Sequence, residues 1–307
     1  IFALAQRNGI ELQYATPEDV VAAYNFHDLP SFLEIYYAAM DVLREEADFY
    51  ELAYNYFLKA ADENVVYVEP FFDPQAHTSR GVDFATVING IRRAQQDAAE
   101  NLGIESNLIM CFLRDLSEES AMAHLEMSVP YKDWIIGVGL DSDEKDNPPE
   151  KFAAVFSKAR TLGYKLTMHC DVNQKDIHEH IRQCLDLIKV DRIDHGINIL
   201  EDESLLADTV ARGIGLTVCP VSNRFVVQSL TSNEIREMLA HGVKATVNSD
   251  DPAYFRAYMN DNFKALAQEG QFSQQDILQL ARNAFEIAWL SDEKKSFYLQ
   301  KLQDYAD

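Results

Sequence analysis

Thr246-Val247-Asn248-Ser249-Asp250-Asp251-Pro252 is the stretch whose reading decides the fold. An apolar run starts at Val243 and passes straight into two adjacent carboxylates and a proline. Neighbouring aspartates repel, so folding alone gives little reason to set them at the end of a buried strand. A metal ion beside one and a protonated substrate nitrogen beside the other would relieve the repulsion. The plain alternative is a helix N-cap or an Asp-Pro turn; it accounts for Asp251 more easily than for the pair.

Three more apolar runs end on the same kind of cargo. Leu166-Thr167-Met168 ends at His169, and Arg192-Ile193-Asp194 ends at His195. Leu216-Thr217-Val218 leads through Cys219-Pro220 to Ser222-Asn223. With the runs 65–69, 108–113 and 135–140 they make seven candidate strands, rich in Val, Ile and Leu. Such runs read as buried on both faces, as parallel strands are. Amphipathic segments at 81–102, 118–127, 149–162, 175–187, 203–211 and 233–241 alternate with them. Helices at 17–24 and 29–60 precede the strands, the second rich in aromatics, and a helix at 274–290 closes the chain. Ser117 and Ser273 look like N-cap residues, and Gly163, Gly213 and Gly242 each follow a helix.

Strand–helix alternation predicts an α/β fold, a (β/α)8 TIM barrel over 1–307 as one domain. Seven units are present where eight are needed, so the first strand is expected before Ile1. Residues 1–7 read as the inside of a helix, with no cap and no initiator methionine.

In a parallel barrel the active site lies at the carboxyl ends of the strands, where every suspicious residue here sits. Asp171 stands two residues beyond His169, on the same face of an extended chain. The two could present an imidazole to a metal and a carboxyl group to a substrate. Gly196 permits a sharp turn that would aim His195 into a cavity, as a general base or water-orienting group. A hydrogen-bonded core histidine is the plain alternative for each. His178 and His180 form a decoy: positions i and i+2 of a helix point apart, so both are expected to face solvent rather than a metal.

Formal net charge is −23, from 50 acidic and 27 basic residues. That field repels nucleic acid and anionic membranes and leaves a small neutral or cationic substrate. The four cysteines have no CxxC spacing and read as reduced core residues of a cytoplasmic protein.

Arg192-Ile193-Asp194-His195-Gly196, Cys219-Pro220-Val221-Ser222-Asn223 and Val247-Asn248-Ser249-Asp250-Asp251-Pro252 follow one another on successive strands. In that order they resemble the adenosine/adenine deaminases of the amidohydrolase superfamily, zinc (β/α)8 barrels that hydrolyse the 6-amino group of purines. Two further segments look like the branch acting on free bases: Glu69-Pro70-Phe71-Phe72-Asp73-Pro74-Gln75 with His77-Thr78, and Gly139-Leu140-Asp141-Ser142. The resemblance implies His169 and Asp250 as zinc ligands and His195 as the group that holds and deprotonates the attacking water. It implies Asp251 as acceptor from the purine N7–H, and Asp141 and Ser142 as further substrate-binding residues. One Zn2+ per chain is implied, with two usual His ligands lying before residue 1. The partner is a small-molecule purine, and a homo-oligomer is left open.

The family usually reads His-Ala-Gly-Glu on the fifth strand, the glutamate being the proton donor. Here the run is His169-Cys170-Asp171-Val172-Asn173-Gln174. Val172 cannot donate a proton, so Asp171 is the expected acid, with Asn173 or Gln174 free to bond the ring. The change points to a reshaped pocket and to an N6-substituted adenine as well as adenine, with the aromatic segment 32–57 supplying apolar room. A nucleoside deaminase is the runner-up. A non-catalytic purine-binding protein is the rival from another class.

Overall fold

The computed structural model describes residues 1–24, 26 and 28–306. Its centre is a parallel sheet built from six of the seven apolar runs; in place of the expected 65–69, Phe71–Phe72 pairs with the second strand, while Tyr67–Val68 pairs with Glu105–Ser106. The strands are β1 (Phe71–Phe72), β2 (Leu108–Leu113), β3 (Ile135–Asp141), β4 (Lys165–Leu166, resuming at His169–Cys170), β5 (Arg192–His195), β6 (Gly215–Val218) and β7 (Lys244–Val247). All six residues of β2 are buried, as a strand covered on both faces requires.

β4 joins the two halves of the sheet. Its first part pairs with β3, with Val138 opposite Leu166, and its second part pairs with β5, with Cys170 opposite His195. The ladder continues through the break, because Thr167 N donates to Val138 O and Asp194 N to Met168 O. The strands therefore run in sequence order as one arc, with helices packed outside: a TIM barrel, as the alternation predicts. The ladder also extends outward from β1 and β2, where Tyr67–Val68 pairs with Glu105–Ser106.

Polar ties fill the barrel interior. Asp194 accepts from Thr167 Oγ1 at 2.7 Å and from Thr217 Oγ1 at 2.8 Å, bracing β4, β5 and β6 against one another. Arg192, two residues earlier on the same face, pairs with Glu69 at 2.6 Å, and its guanidinium lies 4.2 Å from the Trp289 ring. Trp289 packs so closely on Gly137 that a Cβ there would collide with the indole. The helix Gln274–Ile287 covers β7, and Asn283 Nδ2 donates to Ala245 O at 2.8 Å.

Several expected boundaries shift. The segment 29–60 is two helices, Leu29–Met40 and Glu46–Asp62. The break is fixed by Asp48, whose buried carboxylate accepts from the backbone N–H of Arg44 and Glu45, both at 2.9 Å. The helix 175–187 is α-helical only over Ile177–Gln183 and ends in a π turn at Cys184–Ile188. The helix expected at 274–290 stops at Ile287, and a further helix, Asp292–Ala306, follows it. All four cysteines are free and buried, as expected. Among the described residues, no helix is long and apolar enough to cross a membrane.

Candidate active site

The ends of β3, β5 and β7 each pass into a non-glycine residue at positive φ: Ser142 at 73°, His195 at 59° and Asp250 at 56°. L-residues pay roughly 1–2 kcal/mol for that conformation. Three such residues lie at the same end of one sheet, where local strain must be held by the surrounding structure. Along β5, Arg192 and Asp194 point into the barrel, so plain alternation would carry His195 away from it. The turn at His195, followed by Gly196 at φ 73°, brings the imidazole back over the strand ends.

There His195 meets the other strand-end residues. Its ring centroid lies 4.5 Å from that of His169, edge to face. Its Nε2 is 3.8 Å from Asp250 Oδ2, and its Nδ1 is 4.0 Å from Asp171 Oδ1. Ligating atoms of His195, Cys219 and Asp250 all lie within 4.8 Å of one another. Zinc binds nitrogen and oxygen at about 2.0–2.2 Å, which sets co-ligands roughly 3–4 Å apart. The nitrogen and oxygen donors gathered here fit a divalent cation. Cys219 fits it less well, since burial and the surrounding carboxylates push its thiol pKa well up and favour the protonated form. Asp251 differs from its neighbour: burial and the adjacent Asp250 carboxylate raise its pKa strongly, so it tends to keep its proton.

Asp171 is fully enclosed. Val172 N donates to its Oδ1 at 2.7 Å, and Gln174 Nε2 approaches its Oδ2 at 3.4 Å. Burial raises its pKa, partly offset by the positive potential of His195 and His169. Val172 is buried in the main hydrophobic core. Asn173 is engaged through its Oδ1, which accepts from Asn198 Nδ2 at 2.9 Å.

Beneath His169 lies a residue that sequence reasoning missed. Glu144 Oε1 bonds His169 Nδ1 at 2.7 Å and also accepts from Asp171 N at 2.7 Å. Its Oε2 lies 3.6 Å from Arg114 Nη1 and 3.7 Å from His180 Nδ1. Burial opposes the charge on Glu144, yet the surrounding histidines and arginine hold its pKa well below the usual carboxylate range. Burial likewise works against a charge on His169, but Glu144 outweighs it and raises the ring to about 9. His180 corrects the expectation of two solvent-facing histidines. His178 points outward to Glu201 at 3.1 Å, whereas His180, on the opposite side of the same short helix, is buried beside Glu144.

The other wall is acidic and phenolic. Asp73, Cys111 and Asp141, from beyond β1, from β2 and from β3, cluster within 4.8 Å. Burial raises both carboxyls, Asp73 strongly and Asp141 to about 6, the signature of two acids sharing a proton. Tyr37 donates to Ser142 Oγ at 2.9 Å. Tyr36 stands within electrostatic reach of Asp73 and Asp251. Both tyrosines come from the helix Leu29–Met40, which therefore lies over the strand ends. Helix Glu46–Asp62 instead packs against Phe84–Leu102, so only the first part of the 32–57 aromatic segment borders the site.

Arg114 and Asp73 directly follow strands, a signal that could have found them. Glu144 sits among Asp143, Lys145 and Asp146 in a polar loop and carried no such signal.

The sequence profile of the adenosine deaminase family matches residues 1–305. An adenine deaminase from Acinetobacter baylyi is 49% identical over 98% of this chain and 91% of its own length. The crystal structure of adenine deaminase from Arthrobacter aurescens is similar at a TM-score of 0.95 and 41% identity, covering 99% of this chain and 93% of that one. An amidohydrolase from Burkholderia ambifaria, crystallised with bound Zn, is similar at a TM-score of 0.89 and 27% identity, covering 99% and 87%.

Proposed function

The chain belongs to the adenosine deaminase family, and from that premise we propose that it hydrolyses the 6-amino group of adenine, giving hypoxanthine and ammonia. The observation that carries this reading is the convergence of His169, His195, Asp171, Asp250 and Asp251 at one end of the barrel, in a chain nearly half identical to adenine deaminases.

His169 and Asp250 are read as ligands of a divalent cation, zinc by analogy with the Burkholderia relative. Bound there, the cation supplies Lewis acidity and a nucleophile at neutral pH. The chain's own side chains do the rest. His195 takes the proton of the attacking water. Asp171, whose burial favours the protonated form, donates to ring N1 so that C6 becomes electrophilic. Asp251 shares a proton with N7, and Asp141 and Ser142 hold the far edge of the ring.

A second reading extends the first to N6-alkyladenines, with an amine as leaving group. Its support is the aromatic cluster of Phe26, Phe32, Tyr36, Tyr254 and Phe255, close to Asp251. A cytoplasmic location fits the four free cysteines. The test is ammonia or amine release by the full-length, zinc-loaded protein from adenine, N6-methyladenine, N6-isopentenyladenine and adenosine. Adenine turnover is expected to exceed that of adenosine. The reverse order would replace the base reading with the nucleoside one, and no turnover of any of the four would favour a binding protein.

A further inference from the structure

Glu144 is the most enclosed carboxylate at the strand ends, 1% exposed, and the reaction outlined above does not use it. A buried carboxylate is costly unless it is paired. Here it faces Arg114, His169 and His180, the cationic or potentially cationic groups packed around it, and while Oε1 is hydrogen-bonded, Oε2 has only the longer approaches of Arg114 at 3.6 Å and His180 at 3.7 Å. One of its oxygens makes two contacts of different kinds, to His169 Nδ1 and to the backbone N–H of Asp171, both at 2.7 Å. Arg114 reinforces the same turn from the other side, donating from Nη1 to His169 O at 2.9 Å and from Nε to Asn147 O at 2.9 Å.

A histidine that ligates a metal through one nitrogen commonly gives its other N–H to a carboxylate, which fixes the tautomer and raises the ligand's basicity. The contact to Glu144 occupies Nδ1 of His169 and leaves Nε2 as the nitrogen available to a cation. Because the same oxygen holds the Asp171 backbone, the ring and the carboxyl group are set against one fixed point. We propose that Glu144 is a positioning residue that orients His169 for the metal through Nε2 and Asp171 for the ring, with Arg114 bracing the same turn. This rests on the deaminase reading.

The variant Glu144→Gln tests it. The amide keeps the volume of the side chain but is a weaker acceptor than the carboxylate, so both contacts that fix His169 and Asp171 are loosened. Zinc affinity of the full-length protein would be measured by competition with a chromophoric chelator, alongside the visible spectrum of the cobalt-substituted protein and kcat/KM for adenine. Zinc affinity is expected to fall by roughly 10- to 100-fold, with an altered cobalt spectrum and an unchanged far-UV signal. A folded E144Q protein with wild-type zinc affinity and cobalt spectrum overturns the proposal. Should E144Q not fold, 15N-histidine NMR of the zinc-loaded wild type decides: His169 is expected to carry its proton on Nδ1, and a proton on Nε2 overturns it. A wild type that binds zinc and releases ammonia from adenine separates the two failures, because the deaminase reading then stands whatever E144Q does. A wild type that does neither overturns both.

Discussion

Asp250 and Asp251 are chemically identical neighbours with different proposed roles, and substitution should separate them. Asp250→Ala removes a proposed metal ligand, so bound zinc and adenine turnover are expected to fall together. Asp251→Asn keeps the shape and loses only the ionisable proton, so zinc content should stay at wild type while kcat/KM falls by roughly 100-fold. Metal analysis beside steady-state kinetics checks both, and loss of zinc from Asp251→Asn would mean the roles are exchanged. Asp171→Asn bears on the missing glutamate. If Asp171 is the acid, kcat should fall by roughly 100- to 10,000-fold with zinc still bound. Near wild-type kcat would move the proton donor elsewhere. These residues were legible because a charge or histidine at the end of an apolar run is costly and stands out. Glu144 and His180 were not. Each lies in a polar stretch where such residues are ordinary, and only the folding of the loop and short helix against Arg114 makes them buried and paired.

Elements were legible where one kind of periodicity persists, and blurred where a side chain from elsewhere sets the boundary. Strands β2 and β3 fall close to where their apolar runs place them. The break between helices Leu29–Met40 and Glu46–Asp62 depends on Asp48, whose partners Asn8 and Arg7 come from the first residues of the chain. That break matters, because it lets the first helix cross the strand ends while the second packs outside. The joint beside it contains His77, buried on the short helix Pro74–Thr78, with its ring edge to face with Phe49 at 4.8 Å. Arg80 Nη2 approaches His77 Nδ1 at 2.5 Å, and Arg80 Nη1 donates to Leu43 O at 2.9 Å. Burial, helped by the Arg80 charge, lowers the His77 pKa to about 3. The folded value lies below the ordinary value near 6.5, so the unfolded chain binds the proton first. The stability contributed by the neutral ring is complete above about pH 6.5 and is lost as pH falls toward 3. Between pH 7.5 and 5.0 the wild type should lose about 2 kcal/mol more than His77→Gln in urea unfolding. Equal losses would show that His77 titrates normally.

At the scale of the whole molecule, charge decides what reaches the site. The chain carries a formal −23, and five of its acids, Asp73, Asp141, Asp171, Asp250 and Asp251, lie at the strand ends. Burial raises the pKa of Asp73, Asp171 and Asp251, which works against their charge and weakens the local field. It remains a field that a phosphate must enter against the sign of the whole surface. Adenine is neutral at pH 7 and feels little of it. Adenosine is neutral too and differs by bulk, whereas a nucleotide differs by bulk and charge together. Ionic strength distinguishes the two causes, because salt shortens the reach of charge to roughly 10 Å at 0.1 M and leaves bulk untouched. Between roughly 0.02 and 0.3 M NaCl, kcat/KM for adenine is expected to change by less than about twofold. Any residual activity on AMP should rise over the same range, while activity on adenosine stays level. A fall in AMP turnover with added salt would mean that an attractive cationic feature meets the phosphate. Arg114 is too buried to be that feature, being fully enclosed and committed to Glu144 and two backbone carbonyls, so a new binding group on the rim would have to be sought.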